Sequence, residues 1–341
     1  MKSQVALVRG DNRADNIEEA LRLIESEINI EDKKNIFIKV NFVSTHNQLA
    51  ATHVDSVRAL LRFLRQRYSG KIAIGESTGV SAHEGYTRFG YLDLMREFAV
   101  ELLDLNEGEW VFLQVRDSAL RPITVRFSKR VAESDYRIAV GPAKTHDAVI
   151  VTLSIKNLVM GSLYRPIGAG VGGTTRKLLQ IGYKFLLSSL RRISESSGLS
   201  NTAGDYIEGD KHKIHQGYPV HNLNLYLMAE AYRPDLSIID GYAGMEGNGP
   251  LDGDLVRWGV AIVSQDSVAA DCLAAQLMGF SISEIGYLWY CYKKNLGAGE
   301  ISQMDIRGAD LQDCYRRFQP PPGYEEQKEW RDERISKLLR I

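Results

Sequence analysis

The sequence has few cysteines and no excess of basic residues. Its 341 residues include only Cys272, Cys291 and Cys314, and no Cys-x-x-Cys pair. This pattern argues against a disulfide framework, a four-cysteine zinc site and an iron–sulfur cluster of the chain's own. Lys and Arg number 42 against 43 Asp and Glu. The balance argues against nucleic-acid binding over the whole chain, which needs an excess of positive charge, and leaves a local basic patch open.

Long hydrophobic runs are also missing. The longest apolar stretch, residues 268–280, is interrupted by Asp271 and Gln276 and is too short to span a bilayer. The first twenty residues lack the uninterrupted apolar segment of a signal peptide. Apolar residues still make up 44% of the chain, enough for a packed core. The sequence predicts a cytoplasmic protein that is not a membrane partner, and it leaves a homo-oligomer open.

One common catalytic signature is absent. The chain contains no Walker phosphate loop, so P-loop kinases are poorly supported.

Short β-rich runs alternate with helical patterns over much of the chain. Strands are predicted at residues 4–8, 35–40, 71–74, 100–105, 136–140, 236–239 and 258–263. This alternation predicts an α/β fold with a mainly parallel sheet and helices on both faces. We expect one domain over 1–319, with an inserted β-hairpin at about 108–128 and an irregular lid region at about 161–217. The prolines at 320–322 then precede a charged C-terminal helix at 324–339, within a separate segment 320–341.

Polar residues follow the predicted strands. Ligands of open parallel sheets bind beyond the carboxyl ends of the strands, so these residues are predicted to share one pocket. The predicted substrate-binding residues at these ends are Lys39, Asn41, Ser77, Asp240, Glu246 and Asn248. Thr52 and His53 join them because they open a predicted helix, whose free N–H groups favour anions.

The segment 144–157 is the richest in side chains that suit acid–base chemistry or anion binding. His146 titrates near neutrality and suits acid–base work. Lys144 and Lys156, together with Lys39, are predicted to hold an anionic group. Asn157 could donate to a developing oxyanion. The predicted catalytic set is His146, Lys144, Lys156 and Glu76, with Glu76, Asp240 or Glu246 orienting the imidazole.

Two further clusters have open interpretations. Gly170 and Gly173 belong to a glycine-rich loop that, with Arg176, could close over a phosphate of a cofactor, although no strand directly precedes the loop. His212, His215 and His221 could hold a divalent metal, but their spacing matches no strong signature, and a lid role is preferred. The cofactor stays unknown. The basic stretch 174–193 fits packing on the core or a second subunit better than a membrane surface.

Seven segments, in order, resemble the family called domain of unknown function 362. They are IKVNFV (38–43), ATHVDSVRALL (51–61), GESTG (75–79), DLN (104–106), PAKTHDAVIVTLSIKNLVMG (142–161), RPDLSIIDGYAGMEGNGPLDG (233–253) and SQDSVAADCLAAQLMGF (264–280). Val40 stands where the family pattern usually has Pro, and the Cys-rich ferredoxin-like segment of many members is missing. The resemblance implies an α/β fold and a shared site, without a general reaction.

The predicted function is that of an enzyme acting on a small anionic metabolite, a carboxylate or phosphate, by acid–base proton transfer. The segment order is also distantly similar to the nickel-pincer racemase family. That similarity favours isomerase or cofactor-dependent oxidoreductase chemistry over hydrolysis. The alternative is a non-catalytic binding or carrier protein for a phosphorylated ligand, a cofactor or a metal. A protein scaffold without a small-molecule pocket is a third possibility.

Overall fold

A computed structural model describes residues 2–165 and 209–341, and its main feature is one large sheet. Eight strands lie in the order β11-β1-β10-β9-β7-β2-β3-β4, and the short β8 pairs with β7. β5 and β6 form a separate two-stranded hairpin. The strands are β1 (Ser3–Arg9), β2 (Asn35–Lys39), β3 (Lys71–Glu76), β4 (Glu101–Asp104), β5 (Trp110–Arg116), β6 (Pro122–Ser128), β7 (Tyr136–His146), β8 (Ile150–Thr152), β9 (Leu236–Glu246), β10 (Asp254–Ser264) and β11 (Met304–Gly308).

The pairing is parallel through the half of the sheet that runs from β9 to β4. β10 runs antiparallel to both of its neighbours, and the edge strand β11 is parallel to β1. The predicted α/β class, the mainly parallel sheet and the hairpin are therefore confirmed.

Helices cover both faces of the sheet. They are α1 (Arg13–Leu23), α2 (Val54–Arg65), α3 (Ala82–Arg88), α4 (Leu92–Phe98), α5 (Lys129–Ala132), α6 (Ser154–Met160), α7 (Asp210–Ile214), α8 (Tyr218–Tyr232), α9 (Ser267–Leu277), α10 (Gly286–Lys293), α11 (Leu311–Cys314), α12 (Tyr324–Gln327) and α13 (Glu333–Leu339). Over the described ranges, no helix combines the length and the apolar character that crossing a membrane requires.

Two hydrophobic cores form because neighbouring strand residues point to opposite faces. Ile36 and Ile38 of β2 pack in a core with α1 and α2, whereas Phe37 packs in the other core with α6, α8 and α9. Strands that are buried on both faces have continuous apolar runs in their sequence, and such strands are typical of parallel sheets. This pattern explains why the central strands could be located from the sequence.

Several predicted boundaries are wrong. The strands predicted at 136–140 and 236–239 continue as β7 and β9 to His146 and Glu246, because the two strands keep pairing past Asp240 and β8 folds back on β7. The C-terminal helix predicted at 324–339 is divided into α12 and α13. Asp332 starts the second helix, since its side chain accepts a hydrogen bond from the Arg334 N–H.

Parts of the predicted organisation are not tested by the fold. Most of the predicted lid at 161–217 lies outside the described residues. The single-domain assignment over 1–319 and the separate segment 320–341 stay predictions.

Candidate functional site

A cavity of about 490 Å³ lies beyond the carboxyl ends of β2, β3 and β7. Its wall also includes residues from β8, α6 and α7. Six of the residues predicted as catalytic or substrate-binding line this cavity: Asn41, Glu76, Ser77, His146, Lys156 and Asn157. The parallel sheet thus brings together residues that are far apart in the sequence.

A chain of three titratable side chains crosses the cavity wall. His146 Nε2 lies 2.8 Å from Lys156 Nζ, and His146 Nδ1 lies 3.0 Å from Asp147 Oδ1. The backbone N–H of Ala148 also lies 3.0 Å from Nδ1. When Lys156 is an ammonium it can only donate, so Nε2 accepts its proton and Nδ1–H donates to Asp147. When Lys156 is a neutral amine, Nε2–H can donate to it and Nδ1 can accept from Ala148.

Burial shifts the pKa values of Lys156 and His146. It lowers the pKa of Lys156 to about 8, and the Asp147 carboxylate partly opposes that shift. Burial and the nearby Lys156 charge also lower the pKa of His146, so its imidazole is neutral near pH 7. Asp147 is exposed at 63% of its side chain. The neutral imidazole therefore connects a lysine that titrates near neutrality to a carboxylate in contact with solvent.

The position of Lys156 depends on a cap supplied by another helix. Asp271 of α9 accepts hydrogen bonds from the Ser154 N–H at 2.9 Å and the Ile155 N–H at 3.0 Å. These are the first amides of α6, which has no cap from its own preceding side chain. Asp271 thereby fixes the start of the helix that carries Lys156.

The floor of the site is a buried ion pair. Lys39 Nζ lies 2.9 Å from Glu76 Oε1, and both side chains are almost fully buried. Glu76 also accepts from the Phe42 N–H at 2.6 Å and the Ser77 N–H at 2.7 Å. Lys39 does not line the cavity, so its predicted role in holding an anion is wrong. Its ammonium is neutralised by Glu76, whose oxygens in turn are occupied and do not orient His146.

Two more residues that were predicted to contact a ligand make their hydrogen bonds with other groups of the protein. Lys144 is fully buried and donates to Asn41 Oδ1 at 2.7 Å and to the Ala50 carbonyl at 2.8 Å. Burial and the nearby Lys156 charge lower its pKa to about 7. Asn157 lines the cavity, but its amide N–H groups point to the Lys39 and Val140 carbonyls. Lys144 therefore does not hold an anion, and Asn157 has no N–H left for an oxyanion.

Asp240 lies on the opposite side of the sheet from the cavity. Its Oδ2 is 2.9 Å from Arg13 Nε and accepts from the Ser56 hydroxyl at 2.6 Å, which places it among α1 and α2. Glu246 accepts from the Gln319 N–H, and Asn248 is exposed away from the cavity lining. These three residues were predicted to bind substrate, and Asp240 and Glu246 were also predicted to orient His146. Both predictions are wrong.

Thr52 and His53 are also outside the cavity. The Thr52 hydroxyl donates to the Val140 carbonyl and accepts from the Asn41 N–H. His53 caps α2, because its Nδ1 accepts from the Asp55 N–H. Both side chains serve the fold, which corrects their predicted role in binding an anion.

The three histidines predicted as candidate metal ligands are not arranged to hold a metal together. His212 and His215 line the cavity, whereas the His221 ring packs edge-on against His215 with centroids 4.1 Å apart. In residues 2–165 and 209–341, no group of three or more His, Cys, Asp or Glu side chains is arranged to hold a metal. The predicted cofactor-binding residues Gly170, Gly173 and Arg176 lie outside the described residues.

Four polar side chains of the cavity wall are not among the predicted site residues. Asp147 adjoins His146 in the sequence, and this adjacency was the available signal for an orienting carboxylate. Thr152 is 4% exposed, and its hydroxyl has no hydrogen-bond partner within the described ranges. Arg165 and Lys211 also line the wall. Both lie within the predicted lid region at about 161–217, where no periodicity indicates which side chain points inward.

Comparison with known proteins found distant relatives. The chain is 24% identical over 223 residues to a thylakoid-associated protein of Synechocystis, over 65% of this chain and 56% of that protein. Among solved structures, the lactate racemase apoprotein of Thermoanaerobacterium thermosaccharolyticum is 14% identical, with a TM-score of 0.46, over 84% of this chain and 58% of that one. A Thermotoga maritima protein is 12% identical, with a TM-score of 0.41, over 89% of this chain and 62% of that one. The chain thus spans just over half the length of the curated relative.

The family assignment rests on a longer match. The profile described as domain of unknown function 362 matches residues 36–276, which contain the sheet from β2 to β10 and most of α9. It also covers every residue of the cavity wall named above. The resemblance read from the sequence segments is confirmed: the chain belongs to the family of the domain of unknown function 362.

Proposed function

We propose that the protein is an enzyme that acts on a small anionic metabolite by acid–base proton transfer. The observation that carries the proposal is the 2.8 Å contact between Lys156 Nζ and His146 Nε2 within a cavity large enough for a metabolite. A base is most effective when its pKa lies near the working pH, and burial brings the pKa of Lys156 to about 8.

The charges of the wall select an anion. Lys156, Lys211 and Arg165 line the cavity, whereas Glu76 is neutralised by Lys39. Asp147 is directed to His146 and solvent. A carboxylate or phosphate in the cavity would therefore lie against basic side chains, which favours its binding in a partly desolvated site.

The proton transfer can be followed atom by atom. The neutral Lys156 amine takes a proton from a carbon next to a carbonyl or carboxylate, and the electron pair of the C–H bond moves onto the carbonyl oxygen. The resulting ammonium returns the proton to the carbon, or passes it to His146 Nε2 when the neutral imidazole carries its own proton on Nδ1. In the second case the Nδ1 proton moves to Asp147 and then to solvent. An isomerase also needs the proton to return on the opposite face or to a neighbouring carbon, and an oxidoreductase needs a bound electron acceptor or donor.

The test is hydrogen exchange between solvent and ligand. The protein is incubated in D₂O with a panel of small hydroxy, amino and keto acids and their phosphate esters, and deuterium in the recovered compounds is measured by mass spectrometry. We expect incorporation with the native protein for at least one compound. Lys156→Met and His146→Gln should each slow that incorporation by about a hundredfold. His83→Gln is the matched control, because His83 is exposed and pairs with Glu107 away from the cavity.

A different result identifies the alternative function. If native protein and Lys156→Met both bind an anion but no compound takes up deuterium, the result would favour a binding or carrier protein. An absence of binding to every compound would contradict both functions and favour a scaffold.

A further inference from the structure

Lys211 is a lysine of the cavity wall that the proposed proton transfer does not use. It lies in the first turn of α7 and is half-buried, and its Nζ donates to the Ser77 carbonyl at 3.2 Å. Ser77 directly follows β3 and lines the same cavity. The amine of Lys211 therefore lies at the cavity wall, beside the carboxyl end of a central strand.

No carboxylate forms an ion pair with Lys211 in residues 2–165 and 209–341. Glu76 is the acidic side chain whose charge acts on it, but Glu76 is paired with Lys39 and accepts two backbone N–H groups. Burial lowers the pKa of Lys211 well below its ordinary value, and nearby cationic side chains, Lys156 among them, lower it further. An unpaired ammonium is costly in such a wall, so Lys211 is stabilised as a neutral amine.

A neutral lysine amine in a cavity is a nucleophile for carbonyl carbons. One of its two N–H groups serves the Ser77 carbonyl, which leaves the lone pair of Lys211 Nζ free. Imine formation also needs an acid to protonate the departing oxygen. Lys156 and His146 line the same cavity and can exchange protons with each other across 2.8 Å. The cavity thus combines a nucleophilic amine with the acid–base pair that its chemistry requires.

We propose that Lys211 forms an imine with a carbonyl group of the substrate, so that the substrate is an anionic keto or aldehyde compound. The lone pair of Nζ forms a bond to the carbonyl carbon, the π electrons of the C=O bond move to the oxygen, and a proton moves from Nζ to that oxygen. The resulting hydroxyl takes up a second proton and leaves as water. The product is a protonated imine.

The imine deepens the proposed function, and its use in catalysis rests on that function. Lys156 removes a proton from the carbon next to the imine carbon, the C–H electron pair forms a C=C bond, and the C=N π electrons move to the nitrogen. The positively charged nitrogen accepts these electrons more readily than a carbonyl oxygen does. Return of the proton and addition of water then release the product and restore the amine of Lys211.

The experiment traps the imine by reduction. Native protein is incubated at neutral pH with sodium cyanoborohydride and pyruvate, acetoacetate or dihydroxyacetone phosphate, and adducts are located by peptide mass spectrometry. The reagent delivers a hydride to the imine carbon and leaves a stable secondary amine. With at least one compound, the adduct on Lys211 should exceed that on Lys337 by about tenfold or more, because an exposed lysine is almost entirely ammonium at neutral pH. Lys337 is the internal control, with 82% of its side chain exposed.

Variants identify the reacting amine. Lys211→Met should lose the adduct, and Lys211→Arg should lose it as well, because a guanidinium keeps its proton. Lys156→Met should keep the adduct on Lys211 but form it more slowly, and Lys337→Met should leave it unchanged. If Lys211→Met does not fold, Lys211→Arg and the mapping of native protein decide the test.

Three results would overturn the imine. They are no adduct on Lys211 with any of the three compounds, an adduct there no greater than that on Lys337, and an adduct that forms on Lys156 instead. Deuterium exchange without an adduct on Lys211 would contradict the imine and leave the proposed proton transfer standing. An adduct on Lys211 with no deuterium exchange into any compound would leave the imine standing and contradict the proton transfer.

Discussion

The buried pair of Lys39 and Glu76 offers the sharpest test of how the site is supported. Lys39→Met keeps an unbranched side chain but removes the charge, and Glu76→Gln removes the opposite charge. Breaking a buried pair from one side costs about 3–5 kcal/mol, because the remaining charge stays in a low-dielectric environment. Glu76→Gln should be the more costly change. In Lys39→Met the carboxylate keeps the Phe42 and Ser77 N–H groups, whereas in Glu76→Gln the ammonium keeps only neutral oxygens.

The assay is urea unfolding of the native protein, the two single variants and the double variant at pH 7. We expect each single variant to lose about 3 kcal/mol or more, and the double variant to lose clearly less than the sum. Arg96→Met is the matched control. Arg96 pairs with Asp93 at the surface, with 83% of its side chain exposed, so its removal should cost less than about 1 kcal/mol.

Two results would refute this reasoning about the floor of the site. One is a loss below about 1 kcal/mol in both single variants, which would make the pair equivalent to a surface pair. The other is strict additivity in the double variant, which would mean that the two charges do not interact.

Two further predictions concern carboxylates around α6. Asp147→Asn should slow deuterium exchange by about tenfold or more and change ligand affinity much less, because Asp147 pairs with His146. A change in affinity without a change in rate would contradict this. Burial raises the pKa of Asp271 to about 7, so the native state binds a proton there between about pH 4 and pH 7 that the unfolded chain releases. The stability contribution of Asp271 is therefore complete below about pH 4 and is lost as the pH rises through about 7. Urea unfolding of native protein and Asp271→Asn across pH 4–8 should show the advantage of the native protein shrinking with pH, and parallel curves would refute it.

The sequence was most informative where a side chain is buried by the sheet itself. The apolar runs of β2 and β3 identify central parallel strands, and their ends correctly place Asn41, Glu76 and Ser77 in the cavity wall. Asp266 likewise caps α9 from its position directly before an apolar helix. These features depend on local patterns of a few residues.

The predicted site failed where the direction of a side chain decides its role. Asp240 follows the same strand-end rule as Glu76, yet it points to the face covered by α1 and α2. The rule locates an edge of the sheet and does not distinguish its two faces. The extension of β7 past Pro142 was also missed, because proline and glycine normally indicate that a strand ends.

The lysines show a second limit of sequence reasoning. Lys39, Lys144 and Lys156 were all predicted to hold an anion, but only Lys156 lines the cavity. Lys39 pairs with Glu76, and Lys144 donates to Asn41 and Ala50. Which buried lysine is neutralised internally depends on partners more than thirty residues away, and a single sequence does not reveal such contacts.

The most direct test of the central claim is the pH dependence of deuterium exchange in native protein. If the neutral amine of Lys156 removes the proton, the rate should rise with pH and level off above about 8, the pKa to which burial lowers this lysine. Lys156→Met should lose this rising limb together with most of the rate, whereas His83→Gln should reproduce the native profile. A rate that is independent of pH between 6 and 9, or a rising limb that persists in Lys156→Met, would contradict the assignment of Lys156 as the base.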